Sequence, residues 1–148
     1  MSTGDWIALG SAVATFLGVL VAIGAIIYQG RKITHQLVLQ NFSEYTKRYQ
    51  EIILKFPEDI NEPTFKLEGR SDYNTTMRAL RAYFDLSYEE WYLNKRGFVD
   101  EGIWAVWEGG MKTALDKPAF RQAWHKIRSD TQFGVEFENF LDQKMAGK

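Results

Sequence analysis

The first long apolar stretch runs from Trp6 to Tyr28 and reads WIALGSAVATFLGVLVAIGAIIY, with no charged side chain in it. A helix needs roughly 20 such residues to cross a bilayer, so this run predicts one transmembrane helix. The period then changes. In RKITHQLVLQNFSEYTKRYQEIILKF, the residues Val38, Phe42, Tyr45, Tyr49, Ile52 and Phe56 recur in steps of four and three. That spacing is one apolar face of an amphipathic helix. No Gly or Pro falls between Arg31 and Phe56, and Gly30 is the one weak point, costing about 1 kcal/mol against Ala. The predicted helix therefore leaves the membrane with little or no break.

Pro57 ends it, and Pro63 and Gly69 punctuate the loop that follows. Ser71 or Asp72 is placed to cap a helix reaching about Lys95. Met77, Leu80, Phe84, Tyr88 and Trp91 make one apolar face of it, and Ala79, Ala82, Tyr83, Leu86 and Leu93 make another. A helix apolar on most sides belongs in the middle of a bundle. Gly97 closes it, and Asp100 starts the next, with Ile103, Trp107, Met111 and Leu115 at intervals of four. Gly109-Gly110 lies inside that helix, which predicts either a break or the close approach of a neighbour. Asp116 caps a further helix with Pro118 in its first turn, and Phe120, Trp124 and Ile127 are its inner face. A last short helix covers about Val135 to Met145 and offers Phe137, Phe140 and Leu141. No segment alternates with the period of a strand. The expected fold is all-α: residues 1–30 carry the N-terminal tail and span, and residues 31–148 form a small bundle of about five helices.

Charge gives this plan an orientation. Lys and Arg number 18 against 19 Asp and Glu, and only Asp5 precedes the span, so the following domain balances at 18 − 18. A neutral domain argues against nucleic acid as the partner. Arg31, Lys32, Lys47 and Arg48 follow the span closely and no base precedes it, which puts the domain in the cytoplasm and the N-terminus outside the inner membrane. Trp6 and Tyr28 sit at the two ends, where amphipathic rings favour the headgroups. MSTGD lacks the basic residues of a cleaved leader. Within the span Gly10, Ala14, Gly18 and Ala22 recur every fourth residue, a small-residue stripe suited to contact with a second copy or another membrane subunit. With no cysteine, disulfides and thiolate metal sites are excluded.

Candidate chemistry is sparse. His35 and His125 are isolated, no Glu-x-x-His occurs, and neither a metal nor a cofactor is expected. No Walker-type loop, Gly-x-Ser-x-Gly or His-Glu-x-x-His appears, so an enzyme is not the expected reading. Glu90 is the unusual acid, because Tyr83, Leu86 and Leu93 surround it at helical spacing. A carboxylate on an apolar face requires a partner or a proton, and Arg121 and His125 are the candidates for a buried polar pair. Tyr92 and Trp104 are the aromatic residues expected to form an exposed docking patch.

Leu80-Arg81-Ala82-Tyr83-Phe84-Asp85-Leu86, followed by Gly97-Phe98-Val99-Asp100-Glu101, resembles a pattern in uncharacterised bacterial proteins with one N-terminal span and a small helical cytoplasmic domain. The resemblance implies no activity and transfers no catalytic residue; it favours an accessory or regulatory membrane protein. The expected function is a membrane-anchored helical interaction module, an accessory or assembly subunit of an inner-membrane complex. A self-associating membrane sensor or defence-type effector is the alternative, and an enzyme acting near the membrane is the third.

Overall fold

A computed structural model describes residues 42–146 continuously, together with Ala22, Ala25, Tyr28 and Gln40. The chain divides into two compact units, Met1–Asn41 and Phe42–Lys148. In the first, Ala22, Ala25, Tyr28 and Gln40 are helical and exposed. The remaining expectations for that unit, at Trp6, Gly10, Ala14, Gly18, Gly30, Arg31, Lys32, His35 and Val38, lie outside the described residues. Among the described residues no helix is long and apolar enough to cross a membrane.

The second unit is all-helical over its described residues. Its elements are α1 (residues 42–53), a 3₁₀ turn Glu58–Asn61, α2 Tyr73–Lys95, α3 Glu101–Leu115, α4 Pro118–Asp130 and α5 Val135–Ala146. α2 packs on α3 and α4, and α3 packs on α4 and α5. Nine α2 side chains are buried, in keeping with its two apolar faces. At the centre Trp124 meets Phe84 with ring centroids 5.1 Å apart and Phe137 edge-on at 6.0 Å. Phe137 also touches Tyr88, Trp91, Phe133 and Phe140, so a cluster of rings ties α5 to α2 and α4. Burial of that much aromatic surface is what holds a unit of this size together.

The helix ends follow local rules, with two corrections. α2 closes on Gly97 at φ +72, with Gly97 N–H donating to Asn94 O at 2.9 Å and Phe98 N–H to Leu93 O at 3.0 Å, the paired bonds of a Schellman turn. Asp100 caps α3, its carboxylate accepting from Gly102 N–H at 2.8 Å. Asp72 stands at the N-cap of α2, but its side chain makes no cap bond; Arg70 holds it at 2.8 Å instead. Asp116 is not the cap of α4. It ends α3, Lys117 takes the N-cap position, and Pro118 begins α4. The charge-assisted pairing of Asp72 and the tight α3–α4 turn outcompete capping at these two places.

Gly109 and Gly110 do neither of the things their position predicts. α3 runs through them unbroken. A Cβ built on either would meet nothing within 4 Å, so no neighbouring backbone presses on them. The loop before α2 is also firmer than its punctuation suggests. Ile60, Phe65 and Leu67 are buried, and the Gln122 amide of α4 clamps the loop by accepting from Leu67 N–H at 2.9 Å and donating to Phe65 O at 3.1 Å.

Candidate functional site

Three helices of the second unit each turn one face toward a common cavity of about 330 Å³. α1 contributes Phe42, Tyr45, Thr46 and Tyr49; α2 contributes Tyr83, Leu86, Ser87 and Glu90. Both sets follow the i, i+3, i+4, i+7 spacing that brings side chains to one side of a helix. α3 adds Val106, Trp107, Gly110 and Met111. Gly110 leaves the α3 wall without a side chain, which widens the space. Aromatic contacts brace the walls: Tyr45 lies 5.1 Å from Trp107 and Tyr49 lies 6.4 Å from Tyr83, centroid to centroid.

The polar atoms of these walls are largely occupied. Thr46 donates to Phe42 O at 2.8 Å and Ser87 to Tyr83 O at 2.9 Å, both back to their own helices. Tyr45 donates to Glu89 at 3.3 Å. Arg48 grips Glu89 with two bonds, at 2.7 and 3.0 Å, joining α1 to α2. These bonds hold the Glu89 carboxyl below its ordinary range, while burial and then the nearby Glu89 charge push the Tyr45 phenol up.

Glu90 is the exception. It is 7 % exposed, and among the described residues its carboxyl makes no hydrogen bond and no ion pair. Burial pushes it up to about 8; Arg48 pulls the other way, but that guanidinium is committed to Glu89. The carboxyl is therefore mostly protonated at neutral pH and stands on the cavity wall as a neutral acid.

The expected pairing of Glu90 with Arg121 and His125 does not occur. Arg121 donates to Leu115 O at 2.6 Å and Met145 O at 3.3 Å and lies 3.5 Å from Asp116. These contacts tie the α3–α4 turn to the end of α5. His125 is exposed, in a groove with Lys66, Glu68, Tyr73 and Gln122. Both α4 side chains point elsewhere because α4 presents Ala123, Trp124 and Ile127 to the core. Tyr92 and Trp104 are also not brought together as a patch. Tyr92 is 43 % exposed and stacks on Tyr88 at 6.2 Å, whereas Trp104 is half-buried against Phe140 at 5.9 Å.

The period of apolar residues does not point to Thr46, Ser87, Val106 or Gly110. The sequence signal for Ser87 is its place one turn from both Tyr83 and Glu90, and Gly110 carries one only as a glycine inside a helix. Among the described residues no three His, Asp or Glu side chains converge as a metal ion would require. What the arrangement offers is a ring-lined space with one carboxyl on its wall. No family model matches the chain, and neither a curated protein nor a solved structure matches it.

Proposed function

We propose that the chain is a membrane-anchored helical interaction module of the inner membrane, its domain in the cytoplasm, whose association through the span responds to a small ligand held among α1, α2 and α3. The observation carrying this reading is the cavity. It is mostly apolar, of ligand size, and bears one carboxyl whose titration is displaced. One wall is α1, and between the Trp6–Tyr28 run and that wall Gly30 is the one helix-weakening residue, with no Gly or Pro from Arg31 to Phe56. A ligand that binds one arrangement of α1 more tightly than another shifts the population of whatever α1 is joined to.

The partner reached through Gly10, Ala14, Gly18 and Ala22 is a second copy or another membrane subunit. A self-associating sensor is the form the cavity favours, since a purely structural accessory subunit has no need of a ligand-sized space. Gentle extraction of the full chain followed by native mass measurement separates these forms: a homo-oligomer supports the sensor, and stoichiometric foreign subunits support the accessory role. Gly18→Ile should weaken either assembly by holding two backbones apart, while Val19→Ile, off the stripe, should not. Gly110→Leu, which fills the cavity, should change the assembly as well. If assembly is unaltered by Gly110→Leu, the cavity and the span are independent and the coupling is wrong. Protease added to intact spheroplasts should leave the domain uncut; digestion there would reverse the orientation.

A further inference from the structure

We propose that the cavity between α1, α2 and α3 binds a small organic cation, a monoamine carrying one aromatic or branched aliphatic group, with the Glu90 carboxylate as its counter-ion. This rests on the reading of the cavity as a ligand site and names the chemistry that fits it. Five rings line the space, from Phe42, Tyr45, Tyr49, Tyr83 and Trp107. Ring faces attract a cation, more strongly once it is desolvated. A carboxylate on the same wall, buried and without a hydrogen bond or ion pair among the described residues, supplies the opposite charge.

Other chemistries fit less well. The described cation nearest in character, Arg48, is held by Glu89 through two bonds and so does not neutralise Glu90. A neutral apolar ligand would cover the acid and leave its polar atoms unsatisfied. An anionic ligand would accept from protonated Glu90, but its negative charge would sit among rings whose faces favour a cation. An ammonium satisfies both features at once, through N–H donors to the carboxylate and a positive charge facing the rings. The volume of about 330 Å³ lies at the small end of ligand pockets, which limits the body of the amine to one ring or a short branched chain.

Proton balance follows from the chemistry. The groups around Glu90 are Tyr45, Arg48 and Tyr49 on α1 and Tyr83 and Glu89 on α2; the α3 wall contributes no titratable side chain. Without ligand the acid is protonated at neutral pH, because burial pushes it up to about 8. A cation binds the ionised form, so its entry displaces that proton to solvent. Affinity therefore rises with pH up to about 8, and below that pH close to one proton leaves per cation bound.

The test is isothermal titration of the full chain in nanodiscs of zwitterionic lipid, at pH 7, with three probes of one shape: 2-phenylethylammonium, 2-phenylethanol and phenylacetate. The expected result is saturable binding of the ammonium, tighter than the alcohol by about tenfold or more, and weakest binding for the anion. Repeating the titration in buffers of different ionisation heat should reveal the released proton. Glu90→Gln should cost about tenfold or more for the ammonium while leaving the alcohol unchanged, and Gly110→Leu should weaken both. Circular dichroism of each variant checks that it is folded, and lipid partitioning cancels because it is common to wild type and variants. Equal binding of alcohol and ammonium, or ammonium binding that survives Glu90→Gln, overturns the proposal, as does preference for the anion. No saturable binding of any probe overturns it together with the ligand-site reading. Ammonium binding that leaves the oligomer unchanged sinks only the coupling to the span.

Discussion

Glu90 shows how far one side chain departs from what its neighbours in sequence suggest. Its apolar surroundings on α2 are legible as spacing, and it is indeed buried. The inference that burial secures a partner does not hold: Arg121 and His125 are turned away, and the acid meets its desolvation by holding a proton. The sign of the pH effect follows. The folded-state carboxyl titrates near 8, above its ordinary 4.5, so the folded form binds more protons than the unfolded form between those values. Stability is fully present below about 4.5 and falls as pH rises through 8, by a few kcal/mol on the usual linkage scale. Glu90→Gln carries no such charge. Thermal melts of the full chain should show the variant matching wild type at low pH and exceeding it increasingly up to pH 8. Parallel profiles for the two proteins would mean that Glu90 ionises freely in the fold.

The elements are where local rules serve best. Asp100 as the cap of α3 and Gly97 as the close of α2 are both set by a few adjacent residues, and both take the positions their residue types favour. Asp100→Ala should therefore cost about 1 kcal/mol in denaturant unfolding. Gly109 and Gly110 are the opposite case. Their composition suggests a break or a close approach, but the packing of α3 against α2, α4 and α5 carries the helix through, and open space surrounds both. Gly109→Ala should accordingly raise stability by roughly 0.5–1 kcal/mol, since it adds helix propensity and meets no neighbour. Destabilisation by that variant would show that α3 is bent or frayed at this point. Helical spacing also marks the cavity walls of α1 and α2, as Phe42, Tyr45 and Tyr49 and as Tyr83, Leu86 and Glu90.

In the molecule as a whole, stability concentrates around Trp124, which is fully buried and in ring contact with Phe84, Phe133 and Phe137. Trp124→Ala should cost about 3–5 kcal/mol and lower the melting temperature sharply. Leu54→Ala, at a side chain 83 % exposed, should stay within about 0.5 kcal/mol. Comparable losses from the two would place the core elsewhere. The loop before α2 belongs to this same cooperative structure through Gln122, so its release should accompany unfolding of α4 rather than precede it. Arg48 and Glu89, 41 residues apart, fasten α1 to α2, and Glu89 also accepts from Tyr45 of the cavity wall. Being half-exposed, that pair contributes modestly to stability and chiefly sets where α1 lies.

Helix content, the apolar faces and the burial of Glu90 were all readable from spacing, because a helix brings residues three and four apart onto one side whatever lies around it. The long uncharged run and the bases that follow it are likewise properties of consecutive residues. Which faces meet is another matter. The partnership of Arg48 with Glu89, the turning away of Arg121 and His125, and the separation of Tyr92 from Trp104 depend on how helices distant in sequence are rotated against each other. The cavity belongs wholly to that level: its volume is the space three helix faces leave between them, and no single segment contains it.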